Sequence, residues 1–272
     1  MHDHGAAPIE LVLALPLLAA GIGYGAAAVS EHRRGRPWPL GRTVVWSVGI
    51  LLIGASALGP LAEAAHDDPG IHMVAHVLAG MVAPVLLVLG APVTLALRTL
   101  HVQPARRLSR LLRSPPARVV SHPVGAAAIS VGSLALLLRS ELFAALSASP
   151  VGHWLIVLHL AATGFLFTSA IAGVDPQPHR AGFPLRAVVL VAAVGAHAVL
   201  AKSLIAEPSP GLSAPEAERA AVVMYYAGDA AELLLIALFC AQWYRASRPR
   251  RWRVVLPDGA GAASPDGARL TG

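Results

Sequence analysis

The fold is decided by residues 71–97, which read IHMVAHVLAGMVAPVLLVLGAPVTLAL and contain no Asp, Glu, Lys or Arg. A helix needs about 20 mainly apolar residues to cross about 30 Å of hydrocarbon. At a rise of about 1.5 Å per residue, this stretch is long enough to do so. The sequence therefore predicts a membrane-spanning helix here.

Stretches of this kind recur along the whole chain of 272 residues. Charged residues make up only 13% of the chain and hydrophobic residues 56%, whereas about a quarter of a typical soluble domain is charged. The sequence predicts an all-α fold, a polytopic membrane bundle of seven transmembrane helices. The expected spans are approximately residues 8–29, 43–62, 71–97, 121–138, 151–173, 184–206 and 219–244.

Two of these spans have alternatives. The first has the length of a signal peptide, but residues 1–5, MHDHG, lack a basic n-region, and we interpret the stretch as a retained span. In the fourth, serine and glycine dilute the apolar character, and an extension through Glu141 and Phe143 is an alternative.

The basic residues predict the orientation. Of the 21 Lys and Arg residues, 18 lie in the segments after the first, third, fifth and seventh spans. By the positive-inside rule, the N-terminus is outside and the C-terminus is cytoplasmic. The arginines are divided among four short segments, and no basic patch is interleaved with aromatic residues. This distribution excludes nucleic acid as a partner.

The chain is expected to form one transmembrane domain, residues 1–245, followed by a cytoplasmic tail, residues 246–272. The tail begins with several arginines and then becomes rich in Gly, Ala and Pro. Its last part has too little apolar surface to pack and is predicted to be disordered.

Histidines inside the spans are the main candidates for a functional site, because ionisable groups in membrane helices are costly and usually face the bundle interior. His72 and His76 are four residues apart, so both rings lie on one helical face, about 6 Å apart. His159 and His197 are matched in depth, whereas His153 points about 120° away from His159. The sequence predicts a metal site formed by His72, His76, His159, His197 and His153, in the outer half of the membrane.

The side chains also limit the metal. Imidazole suits copper and zinc, and a thioether would favour cuprous copper. Met73 follows His72 but points about 100° away from it, so its thioether is not expected to join the site. Cys240 is the single cysteine, which excludes a Cys-rich zinc or iron–sulfur site.

Two carboxylates and three further histidines extend this site. Asp229 and Glu232 share a helix face, and either relay protons or fix the tautomer of a histidine ligand. In the copper-handling interpretation, Asp229 is expected to orient a ligand. His2, His4 and His66 lie outside the spans on the same side as the site and are candidates for capturing metal there.

Several protein classes are excluded. The chain has no Walker loop, Rossmann glycine fingerprint, nucleophile elbow, zincin helix or Cys-x-x-Cys pair. The seventh span has no lysine between Arg219 and Arg245, which excludes a retinal pigment.

A series of short motifs runs through the spans, at residues 72–76 (HMVAH), 80–84 (GMVAP), 89–93 (LGAPV), 121–123 (SHP), 153–159, 173–176 (GVDP), 197 and 228–229 (GD). Over about residues 40–245, these motifs resemble those of the CtaG family of cytochrome c oxidase assembly factors. The resemblance implies a non-enzymatic, multi-pass protein of the bacterial inner (plasma) membrane, needed for an active haem–copper oxidase of the caa type. The implied cofactor is copper, held or delivered by the protein.

We therefore expect an assembly factor that handles copper through an outward-facing histidine site. Its expected partners are the oxidase subunits, the lipid bilayer and a periplasmic copper donor. One alternative is a transporter that moves copper or protons through the same site. Another is a scaffold in which the histidines only form hydrogen bonds between helices.

Overall fold

The computed structural model describes residues 6–208 and 212–248, and every regular element in these residues is a helix. The all-α prediction is therefore confirmed, whereas His2, His4 and residues 249–272 lie outside the described residues. The single-domain boundary stays a prediction. The helices are α1 (Ala6–Arg33), α2 (Leu40–Ala57), α3 (Pro60–Asp67), α4 (Pro69–Val77), α5 (Ala83–Leu89), α6 (Pro92–Thr99), α7 (Val102–Leu112), α8 (Pro115–Val120), α9 (Pro123–Arg139), α10 (Leu142–Ser147), α11 (Pro150–Ala172), α12 (Phe183–Ala206) and α13 (Ala214–Ser247).

Six helical segments in the described residues are long and apolar enough to cross a membrane. They are α1, α2, the continuous segment from α4 through α5, α11, α12 and α13. The predicted fourth span corresponds to α9, which has 17 residues and is shorter than these. It ends at Arg139 with extended backbone at Ser140, so the alternative extension through Glu141 and Phe143 as one helix is wrong.

Two predicted spans are also interrupted. The second ends at Ala57, because Gly59 has a positive φ of 73° and Pro60 starts a new helix. The third ends at Leu89, and Ala91 adopts a left-handed conformation with φ 51° before Pro92. Proline lacks the N–H that would continue the helical ladder, which explains both ends.

A π-helical turn, Leu78–Val82, joins α4 to α5. Pro84 has no N–H to donate to the carbonyl of Gly80, so one hydrogen bond of the α-helical ladder is missing at this point. Instead, the N–H of Ala83 donates to the carbonyl of Leu78, five residues earlier. Such π turns are frequent at functional sites in helical proteins.

The π turn lies directly against α11. A Cβ atom on Gly164 would be 2.0 Å from the carbonyl oxygen of Gly80 and 2.8 Å from the ring of Pro84. Small residues allow this close approach of two backbones, which is common between membrane helices. The contact fixes α11 relative to α4 and α5.

Asp175 joins the break after α5 to the loop after α11. Its carboxylate accepts hydrogen bonds from the backbone N–H groups of Val93 (3.1 Å) and Thr94 (2.7 Å) and from the Thr94 hydroxyl (2.6 Å). These N–H groups belong to the first turn of α6, where they have no partner within the helix. A residue 81 positions along the chain from Thr94 thus caps α6.

The same break is held from the other side by α1. The hydroxyl of Tyr24 donates to the carbonyl oxygen of Gly90 (2.7 Å) and accepts a hydrogen bond from the indole N–H of Trp38 (2.9 Å). The Tyr24 ring also stacks on Trp46, with centroids 4.7 Å apart. The break between α5 and α6 is therefore an ordered joint.

The outer surface of the bundle is apolar. Side chains such as Ile22, Leu51, Val191, Val199 and Leu233 are largely exposed on the long helices. Monomeric soluble proteins rarely expose large apolar patches, whereas a lipid environment accepts them. The burial pattern thus agrees with the apolar length of the helices.

Candidate functional site

Three neighbouring cavities between the helices are lined by most of the predicted histidines. An open vestibule of about 380 Å³ lies at the end of the bundle that carries α3 and α10, and its walls include His66 and His153. The three-histidine cavity, of about 160 Å³, is lined by His66, His72 and His153. The inner chamber, of about 70 Å³, is lined by His76, His197 and Glu232.

A narrow gap shares His72 and His153 with the three-histidine cavity and His76 and Leu160 with the inner chamber. It has a volume of about 10 Å³ and is lined by His72, His76 and His153. His72 and His76 share this gap, as their four-residue spacing predicts. Asp68 caps the helix that carries both, because its carboxylate accepts hydrogen bonds from Gly70 N (2.6 Å) and Ile71 N (3.2 Å).

Aromatic contacts position the rings of the three-histidine cavity. The rings of His66 and His153 are 5.5 Å apart between centroids and tilted by 48°. The ring of His72 packs edge-on against Phe143 of α10, at 4.9 Å. Met73 also lines this cavity, and its side chain is packed in an apolar cluster with Leu134 and Leu160.

The inner chamber holds a buried imidazole and a buried carboxylate. His197 Nδ1 is 3.3 Å from Glu232 Oε1, but the two groups are not aligned as a hydrogen bond. Neither ring nitrogen of His197 nor Glu232 Oε2 has a hydrogen-bond partner among the described residues. Leaving buried polar atoms unpaired is costly, and a cavity needs only about 10–15 Å³ to hold a water molecule. The chamber is therefore suited to hold water or a cation.

Gly228 of α13 makes room for the His197 ring. A Cβ atom at this position would lie 2.4 Å from Cε1 of His197. The glycine of the Gly-Asp pair at 228–229 thus has a steric role. It allows α12 and α13 to approach with an imidazole between them.

The structure does not bring every predicted residue to the site. His159 is exposed on α11 and lines none of the three cavities, so its predicted pairing with His197 was wrong. Asp229 is half-buried and is not among the residues that line the chamber, whereas Glu232, one turn later, is. His66 was predicted only as an outer group, yet it belongs to the three-histidine cavity.

The described residues contain no group of three or more His, Cys, Asp or Glu side chains gathered closely enough to hold a metal ion. The histidines form a series through neighbouring cavities rather than a single cluster. Any metal held here would need either a low coordination number or a rotation of side chains.

The chamber has an apolar floor on the side away from the vestibule. Phe167 and Leu235 belong to its wall, and behind them lies a packed cluster that includes Ile171, Leu190 and Phe239. Arg186 lies against this cluster and is 2% exposed.

Aromatic rings and a carbonyl group hold the Arg186 guanidinium in place. It lies 4.1 Å from the centre of the Phe183 ring and 5.5 Å from that of Phe239, and it donates to the carbonyl oxygen of Ile171 (2.8 Å). The histidine-lined path is thus bounded by apolar packing and then by a fixed positive charge.

Helices of membrane-spanning length around histidine-lined cavities define a polytopic membrane protein with a polar site between its helices. The sequence model of the cytochrome c oxidase caa3 assembly factor family, Caa3_CtaG, matches residues 22–246. The chain belongs to this family, and the resemblance found in its motifs is confirmed.

Curated relatives come from mycobacteria. An uncharacterized protein of Mycobacterium leprae (strain TN) is 31% identical over 249 residues, which cover 84% of this chain and 38% of the relative. Uncharacterized proteins of Mycobacterium bovis and Mycobacterium tuberculosis are each 37% identical over 192 residues, which cover 68% of this chain and 29% of each relative. The chain thus spans less than two fifths of the length of these relatives. No solved structure matches it.

We expect Gly228→Ala to destabilise the protein by about 1–3 kcal/mol, because the added methyl group overlaps the His197 ring. The free energy of unfolding in detergent, followed by helical circular dichroism, measures this. Gly195→Ala is the matched control, since a Cβ atom at Gly195 of α12 meets nothing within 4 Å.

A double variant makes the test specific to the His197 ring. If the clash is the cause, Gly228→Ala adds little destabilisation once His197→Ala has removed the ring. Full additivity of the two substitutions would show that the ring is not what Gly228 accommodates.

Proposed function

We propose that this chain is an inner-membrane assembly factor for a bacterial haem–copper cytochrome c oxidase, and that it holds copper in its histidine-lined cavities for delivery to the oxidase. Family membership supports the role in oxidase assembly. The observation that supports copper is the series of imidazoles that leads from the open vestibule to a buried carboxylate. The role is non-catalytic.

The three-histidine cavity is the proposed entry site for copper. Its three imidazoles and the thioether of Met73 are ligand types that suit copper, and the thioether favours the cuprous state. The vestibule next to it shares His66 and His153, so an ion can reach these rings from solvent.

The inner chamber is the proposed holding site. Cuprous copper carries one positive charge, and the carboxylate of Glu232 would neutralise it in a surrounding of low polarity. His76 and His197 supply imidazoles, and Glu232 lies close enough to orient His197. We therefore propose Glu232, rather than the Asp229 expected from the sequence, as the residue that orients a ligand.

The floor of the chamber favours holding over transport. A transporter that uses the same site would need a second exit, but the cluster of Ile171, Leu190 and Phe239 fills that direction. The fixed charge of Arg186 would also repel a cation there. We therefore infer that copper enters and leaves on one side, and copper uptake into sealed vesicles would contradict this.

The proposed orientation places α3 and α10 on the outer face, with α9 completing seven spans. The arginine distribution supports an N-terminus outside and a cytoplasmic C-terminus. The vestibule then opens toward the periplasmic side, where a copper donor and the copper-accepting oxidase subunits would meet it.

Reporter fusions test this orientation. We expect fusions within residues 98–118 to report the cytoplasm and fusions within residues 63–70 to report the outside, because arginines dominate the first segment and carboxylates are present in the second. Swapped compartments would place the vestibule on the wrong side for a periplasmic donor.

His153→Ala is expected to lower bound copper and oxidase activity while the protein stays in the membrane, since His153 lines the vestibule, the three-histidine cavity and the gap. His159→Ala is the matched control, because it removes an exposed imidazole from the same helix. Metal analysis of purified protein with and without added copper, together with oxidase assays on membranes, measures both. Equal copper content in the two variants would contradict the site.

Glu232→Gln is expected to weaken copper binding by about 10–100-fold, because it removes the charge that neutralises the ion and supports His197. Asp229→Asn removes the same charge three residues earlier and is expected to leave affinity nearly unchanged. Copper titration of the two purified variants compares them. A larger loss for Asp229→Asn would move the supporting role back to that residue.

A further inference from the structure

The short helix α7 is amphipathic and lies on the surface of the bundle. None of its residues is buried, and Val102 and Leu111 are 62% and 63% exposed. The helix carries three arginines spaced four and three residues apart, Arg106, Arg110 and Arg113. Their side chains therefore project from the same side of the helix. The helix thus presents three guanidinium groups together.

These arginines line a cleft between α6 and α7. The cleft has a volume of about 820 Å³, and its apolar wall is formed by Leu97, Leu100 and Val102. No carboxylate is among the residues that line it. Residues 69–140 contain no Asp or Glu at all, so no acidic residue of this segment neutralises the arginines. A cavity with three cationic groups beside an apolar wall matches a ligand that is both anionic and apolar.

The position of the cleft identifies the source of such a ligand. The cleft follows directly on α6, and only Gly90 and Ala91 separate the start of α6 from the end of the membrane-length segment at Leu89. Arg98 of α6 lies 5.4 Å from the centre of the Trp38 ring, next to the start of α2. Tryptophan is enriched where membrane helices meet the headgroup region. A position next to the end of a membrane-length segment and beside a tryptophan is the position expected of a site for lipid headgroups.

We propose that the cleft between α6 and α7 binds the headgroup of an anionic phospholipid such as phosphatidylglycerol. The guanidinium groups of Arg106, Arg110 and Arg113 hydrogen-bond the phosphodiester, for which their planar fork is well shaped. Leu97, Leu100 and Val102 contact the first carbons of the acyl chains. This proposal is independent of the proposed role in copper handling.

The test compares lipid binding by two variants that lose the same charge. Arg106→Gln/Arg110→Gln/Arg113→Gln removes the arginines of the cleft. Arg33→Gln/Arg107→Gln/Arg118→Gln removes three exposed arginines that do not line it. None of the six residues is buried, so the helical circular dichroism of both variants is expected to match that of the unchanged protein.

Native mass spectrometry of the purified protein, titrated with phosphatidylglycerol or phosphatidylcholine, measures the affinities. We expect phosphatidylglycerol to bind at least about tenfold more tightly than phosphatidylcholine, and the cleft variant to lose this preference while the control variant keeps it. Inorganic phosphate is expected not to displace the lipid, because it makes no contact with the apolar wall.

Three results would overturn the proposal. Equal losses in the two variants would indicate general attraction between charges. Displacement of the lipid by inorganic phosphate would indicate a site for a free anion. Unchanged lipid binding by the cleft variant, with loss of an oxidase subunit that co-purifies with the unchanged protein, would indicate a protein partner.

Discussion

The backbone of α11 lies against the π turn between α4 and α5 because Gly164 has no side chain, and the polar site depends on this contact. A Cβ atom at Gly164 would overlap the carbonyl oxygen of Gly80. His76 belongs to the helix before the turn, and His153 belongs to α11. With the two helices at this distance, both imidazoles line the same narrow gap. A wider separation of the helices would move the two imidazoles apart.

Two motifs on which the family resemblance rests act as structural joints. Asp175 caps α6 directly after the break at Gly90 and Ala91, and Tyr24, which lies outside the motifs, binds the Gly90 carbonyl from the opposite side. Gly228 accommodates a histidine ring. Asp175 and Tyr24 hydrogen-bond backbone groups that would otherwise lack a partner, and Gly228 leaves space for a side chain. Together these residues position the helices that carry the imidazoles.

The sequence predicts the all-helical class and most positions of the spans, because a stretch of about 20 apolar residues is typical of a membrane-spanning helix. Averaged hydropathy misses the breaks at Gly59 and Ala91, which depend on single backbone conformations. The sequence does not show as readily which side chains point into the bundle. The angle between His153 and His159 follows from helical geometry, but which of the two points inward depends on the neighbours of α11. Likewise, Glu232 rather than Asp229 meets His197 because of how α12 and α13 pack around Gly228.

The apolar floor beneath the inner chamber has an electrical consequence. A row of imidazoles that crossed the whole bilayer would conduct protons and dissipate any proton gradient across the membrane. Here the row ends at the cluster of Ile171, Leu190 and Phe239, with the Arg186 guanidinium behind it. The bundle can therefore carry a polar site deep between its helices while the membrane around it stays insulating.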